Sequence, residues 1–210
     1  MGIRVDNTNN KQRPPAKVVI ASTVGALAGS GLYVASLAKH KQGSNIFKKI
    51  SSIELGVKEG ILLCTTATLG GLIPGAVLDK KENLPTKLYE ASHQIIGNGA
   101  IPFACLGIAN YFTKGLNKTI RSAIAITTLF VSTFLGHSVT DKLNNTPNKY
   151  KVSFIDFLPD VDDWVLAAST VLNSKLLYKF TAMVCPFTYS IMGIKTGLAQ
   201  KDNKKLDKIV

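Results

Sequence analysis

The chain has 210 residues, of which 46% are apolar and only 18% charged, and its 25 Lys and Arg against 13 Asp and Glu leave a net charge of +12. A typical soluble domain is about 25% charged, and here the charges sit in clusters between long uncharged runs. With three arginines only (Arg4, Arg13, Arg121), no known nucleic-acid-binding module and lysines gathered at the ends of apolar runs, the basic excess excludes nucleic acid as the expected partner and points to lipid headgroups.

Residues 1–16 read as a flexible polar tail containing Pro14-Pro15, residues 17–197 as a membrane-spanning helical domain, and residues 198–210 as a basic tail. A helical span takes about 20 mostly apolar residues. Val18–Ala38 is the first such run; Ser36-Leu37-Ala38 resembles a signal-peptidase site, but the apolar stretch is longer than a signal peptide needs. Gly60–Leu78 is the second and ends at Asp79-Lys80-Lys81. Ala91–Thr113 is the third and carries His93, Gln94 and Asn98. Ser122–Thr140 is the fourth and ends at Asp141-Lys142. The rest of the chain is mostly short, lysine-bearing connectors, which cannot build an amphipathic shell around four such helices in water.

The last third divides differently. Phe154–Ser174 places Asp156, Asp160, Asp162 and Asp163 before a short apolar stretch, Trp164–Leu172. An Asp at mid-span costs about 2.5–3.5 kcal/mol, so these aspartates belong at an interface or in a water-filled cavity. Phe180–Ile194, bracketed by Lys179 and Lys195 and interrupted by Pro186, is just long enough to cross if both lysines snorkel. The expected fold is therefore an all-α polytopic transmembrane helix bundle of five or six spans. It sits multi-pass in a membrane (the plasma membrane, or the inner membrane of a bacterium). With six spans the positive-inside rule favours cytoplasmic termini.

Thr65–Lys87 and Thr127–Lys149 align at an offset of 62, with identities that include Asp79/Asp141, Lys80/Lys142, Asn83/Asn145, Pro85/Pro147 and Lys87/Lys149. A parallel internal repeat and a shared way of leaving a membrane both account for this echo. Each span also has a small-residue face. Gly25 and Gly29 lie near Ser22 and Ser36, and Gly71 and Gly75 follow Cys64 and Thr68. His93, Gly97, Ala100, Ala104 and Gly107 share one stripe, and Ser122, Ala125, Ser132 and Gly136 another. Such faces let helices pack closely in lipid, within a bundle or between copies in a homo-oligomer.

Ionisable groups inside spans are functional candidates. Glu90 and His93 stand three apart and share a helix face; His137 and Asp141 stand four apart. Together with Asp160 and Asp163 they form a candidate metal or cation site, and His93, Asn98 and His137 a candidate polar pathway. Against this, span-end histidines commonly bond neighbouring helices, and aspartates before a helix commonly cap it. Cys64, Cys105 and Cys185 lie in apolar runs and form no CxxC pair, and no nucleophile elbow, phosphate loop or dinucleotide fingerprint is present. No cofactor is expected. The expected function is a non-enzymatic transporter, channel-like bundle or structural membrane component. The alternatives are a membrane-embedded metal-dependent enzyme and a soluble helical protein with a lipid-binding core.

Overall fold

The structure, a computed structural model, describes residues 13–145 and 175–201. Asp156, Asp160, Asp162, Asp163, Pro147, Lys149, most of the N-terminal tail and residues 202–210 lie outside the described residues.

Every regular element among the described residues is helical. Helix α1 (Ala16–Lys39) starts directly after Pro14-Pro15. A short helix, α2 (Ile46–Ile50), is capped by Asn45, whose side chain accepts from Lys48 N–H at 2.9 Å. Helix α3 (Val57–Leu78) begins where the Glu59 carboxylate accepts from Gly56 N–H at 3.1 Å. A 3-10 turn (Lys81–Asn83) then leads into α4 (Leu84–Ser92), a π-helical segment (His93–Ala100) and α5 (Ile101–Phe112), which together form one continuous rod. Asn117 caps α6 (Lys118–Leu143) by accepting from Ile120 N–H at 2.9 Å. That helix stops at Asn145, whose φ of 52° is the left-handed conformation that ends helices. Helix α7 (Lys175–Leu198) carries Pro186 inside it.

Four of these helices are long and apolar enough to cross a membrane: Ala16–Lys39, Val57–Leu78, Lys81–Phe112 and Lys118–Leu143. Each is longer than the uncharged run that marked it, because a helix continues through flanking charged residues that do not interrupt its hydrogen bonds.

The packing is inverted relative to a protein built for water. The buried side of α1 is Val18, Ser22, Ala26, Ser30, Val34 and Ala38, every fourth residue, whereas Ile20, Val24 and Leu32 point outward. On α7, Met183, Phe187 and Ile191 form an exposed stripe opposite buried Ala182, Cys185 and Tyr189. On α1 small residues and serines face inward beside two valines, and on both helices large apolar residues also face outward, an arrangement suited to hydrocarbon surroundings.

Glycines bring the backbones together. Gly25 of α1 packs on the carbonyl of Gly70, which lacks its usual helical donor because Pro74 has no N–H. Gly71 and Gly75 of α3 meet Gly193 and Gly197 of α7 in the same way. The small-residue faces of α1 and α3 are thus used within the chain, although Ser36 points away and bonds only to its own helix, at Tyr33 O.

These contacts also fix direction. Ser22, near the start of α1, lies beside Gly75 and Gly197, near the ends of α3 and α7. Tyr89 and Ser92 of α4 bond Asp141 and Asn144 at the end of α6. Helix α1 therefore starts, and α3, α6 and α7 stop, at one end, the terminal end. Leu143 and Lys175 therefore lie at opposite ends of the bundle.

A buried clasp holds the terminal end. Lys87 is fully buried and pairs with Asp79 at 2.9 Å, the Asp79 side chain being 1% exposed. Lys87 Nζ also donates to Gly197 O. Gln200 Nε2 donates to Asp79 at 2.7 Å, and Asn83 Nδ2 donates to Asp79 at 3.2 Å and to Gln200 at 2.7 Å. A charge taken out of water needs this many partners to be tolerated. Burial pushes the Asp79 carboxyl up, but the Lys87 ammonium, the Lys80 N–H and the Gln200 amide outweigh it and hold Asp79 below the usual carboxylate range.

Candidate functional site

The π segment is where the rod becomes polar. Pro102 offers no N–H to the carbonyl of Asn98, and Gly97 and Gly99 weaken the regular helix just before it. The chain winds wider over His93–Ala100, with i→i+5 bonding. Wide turns of this kind occur often at functional sites.

Two polar ladders climb this turn on adjacent faces. The first faces α6. His93 is 0% exposed; its Nδ1 lies 2.9 Å from His137 Nδ1 and its Nε2 lies 3.1 Å from Asp141 Oδ1. Tyr89 O–H donates to the same Asp141 oxygen at 2.6 Å, and the Tyr89 ring packs edge-on against His93 with centroids 4.5 Å apart. The His93 and His137 rings stack at 5.2 Å. Close approach is possible because Gly136 and Gly97 touch backbone to backbone beside the two rings.

Chemistry orders the protons along this ladder. A carboxylate only accepts, so His93 Nε2 carries a hydrogen toward Asp141. In neutral His93, Nδ1 is then an acceptor, and His137 must supply the hydrogen between the two Nδ1 atoms. His93 is thus bonded through both ring nitrogens, one of the few side-chain arrangements that can take up a proton at one atom and release it at another.

The second ladder faces α7 and α3. Lys195 pairs with Glu90 at 3.4 Å. Gln94 Nε2 donates to Glu90 at 2.8 Å, and Asn98 Nδ2 donates to Gln94 Oε1 at 3.0 Å. Because Glu90 accepts only, Gln94 must turn its NH2 to it; Gln94 then offers its oxygen to Asn98, which must turn its own NH2 in reply. Both amides are fixed by one carboxylate. The ladder ends at Asn98 Oδ1, a buried oxygen with no hydrogen-bond partner. Cys64 Sγ donates to Gln94 O at 3.3 Å and ties the turn to α3.

His93 meets His137 and Asp141 across the helix pair, whereas Glu90, which spacing placed beside His93, turns to Lys195 and Gln94 instead. Residues three apart sit about 60° apart on a helix, and α6 and α7 flank the two strips. Asn98 belongs to the Glu90 ladder and is not linked to the histidines. Asp160 and Asp163 lie outside the described residues. Among the described residues, no group of three or more His, Cys, Asp and Glu side chains is arranged to hold a metal. Tyr89, which bonds Asp141, is not singled out by the sequence, although the period-four run Tyr89, His93 was an available signal; Lys87 and Lys195, read there only as part of the echo and as a span-end lysine, pair with Asp79 and Glu90.

Comparison with protein-family models, with curated proteins and with solved structures finds no match. Four apolar helices are consistent with a membrane protein, and the reading of function rests on the site itself.

Proposed function

We propose that the chain is a multi-pass membrane protein of six crossings, a small channel-like or transporter bundle that passes protons through Tyr89, Asp141, His93 and His137. The observation that carries this reading is His93, fully buried in a helix apolar enough to span, yet hydrogen-bonded through both ring nitrogens. Chains of Asp and His at membrane depth are proton-relay material. The six crossings are supported by the direction of α6 and α7: both stop at the terminal end, the end at which α1 starts. The echo of Asp79 in Asp141 supports a parallel repeat, since each carboxylate stands at or near the end of a long apolar helix.

Purified protein in liposomes loaded with a pH-sensitive dye, driven by a potassium diffusion potential, tests the reading. Wild type acidifies or alkalinises the lumen faster than empty vesicles. His93→Ala abolishes the difference, and Ser36→Ala, on an outward face, preserves it. Wild-type flux equal to that of empty vesicles overturns the proposal. Thiol labels placed at residues 13 and 201 react from the same side of the membrane for any even number of crossings, six included, and reaction from opposite sides overturns six.

A further inference from the structure

A groove of about 450 Å³ runs between α5 and α6, lined by Cys105 on one side and by Ile124, Thr127, Thr128, Val131 and Leu135 on the other. Ile124, Thr128, Val131 and Leu135 follow one another at steps of three and four, so they form one helical stripe. Arg121 is the next residue of that stripe toward the start of α6. Its Nη2 donates to Asn110 Oδ1 at 2.7 Å, which holds the guanidinium across the α5–α6 junction. Its Nε is buried without a partner, so the cation keeps this position at a cost that an anion on the guanidinium would offset.

The segment that forms the groove carries one sign of charge. No Asp or Glu occurs between Glu90 and Asp141, whereas Lys114, Lys118 and Arg121 all fall there. Lys114 and Lys118 are exposed. Lys114 Nζ sits 5.2 Å over the Tyr111 ring, and Tyr111 and Phe112 are 67% and 78% exposed at this same end. Exposed aromatics beside lysines mark headgroup level in a membrane protein. A two-fold dimer through this face would set the three cations of one copy against those of the other, which disfavours a second copy as the occupant.

We infer that this groove binds an anionic phospholipid, with the phosphate at Arg121 and one acyl chain along Thr128, Val131 and Leu135. The inference rests on the membrane reading above. Basic pockets between spanning helices hold lipid headgroups by this chemistry.

The test is native mass spectrometry of delipidated protein given phosphatidylglycerol or phosphatidylcholine with identical chains. Wild type retains phosphatidylglycerol under activation that strips phosphatidylcholine. Arg121→Gln lowers that preference about fivefold, the effect of one interfacial charge, and Thr128→Phe, which fills the groove, removes the retained lipid. A circular-dichroism melt confirms that each variant is folded before it is compared. Equal retention of the two lipids by wild type, or an unchanged preference in Arg121→Gln, overturns the inference. If carbonate washing leaves the protein in membranes while the preference is absent, the lipid site alone fails. If carbonate releases the protein, the membrane reading fails with it.

Discussion

Asp79 and Asp141 end two different helices, and both take side-chain donors from α4: Lys87 reaches Asp79 at 2.9 Å, and Tyr89 reaches Asp141 at 2.6 Å. One short helix therefore anchors the terminal ends of α3 and α6 at once. Its geometry decides how the buried charges of the bundle are balanced, and most of the expected effects of substitution follow from it.

Removing one partner of the Lys87–Asp79 pair leaves the other charged and buried. Lys87→Met is expected to destabilise by about 3–5 kcal/mol. Lys87→Met combined with Asp79→Leu is expected to recover most of that loss, because no charge is then stranded. Thermal unfolding in detergent, followed by circular dichroism, checks both. A double variant no more stable than the single one would contradict the clasp.

The same pair predicts an acid limb. Asp79 has a folded-state pKa below its ordinary value of 3.8. A carboxyl shifted down contributes its stability fully above the ordinary value and loses it as pH falls through the lowered folded value. Unfolding temperatures measured from pH 7 downward should hold level to about pH 4 and then fall. The gap between wild type and Asp79→Asn should narrow over that acid range. A gap that stays constant to the lowest pH would show that Asp79 is not held down.

Glycines in the bundle divide by what stands opposite them. A Cβ on Gly136 overlaps the backbone of Gly97, whereas a Cβ on Gly31 meets nothing within 4 Å. Gly136→Ala is expected to cost about 1–3 kcal/mol through overpacking and to part His93 from His137. Gly31→Ala is expected to stabilise by up to about 1 kcal/mol through helix propensity. Melting curves of the two variants should move in opposite directions.

The amide ladder predicts an order of effects. Gln94 bonds on both sides, to Glu90 and to Asn98, while Asn98 bonds on one side and ends in an unpartnered oxygen. Gln94→Met should therefore cost more than Asn98→Leu, by about 0.5–1.5 kcal/mol, the net worth of one hydrogen bond. Equal losses would place an unseen partner on Asn98 Oδ1.

Much of this architecture is legible in the residues. Four long apolar helices are readable because charges cluster at their ends, although five or six spans were expected, and Gly25, Gly29, Gly71 and Gly75 announce close backbones. His137 and Asp141 were paired by spacing alone, since a regular helix sets residues four apart on one face. Lys87 was not readable: a lysine in a polar connector looks solvated, and only the folding of Gly197 and Asp79 around it removes it from water. The wide turn at His93–Ala100 was hidden for a related reason. Gly97, Asn98, Gly99 and Pro102 each weaken a helix, but whether the chain breaks or widens depends on the neighbours that hold it, here Cys64 and Gly136. Glu90 and His93 parted because different helices flank the two strips, which spacing within one helix cannot reveal.

Among the described residues, the backbone-to-backbone glycine contacts fall into two blocks. Helices α1, α3 and α7 are zipped backbone to backbone through Gly25, Gly70, Gly71, Gly75, Gly193 and Gly197, and sliding any one past another would drive a carbonyl into its neighbour. His93, His137 and Asp141 all belong to the other block, the hairpin of the π-containing rod and α6. If one block rocks against the other, the relay travels whole with its own hairpin and is never pulled apart. The proton route proposed above, built this way, stays wired throughout any such motion, and so resembles a fixed conductor more closely than an alternating gate.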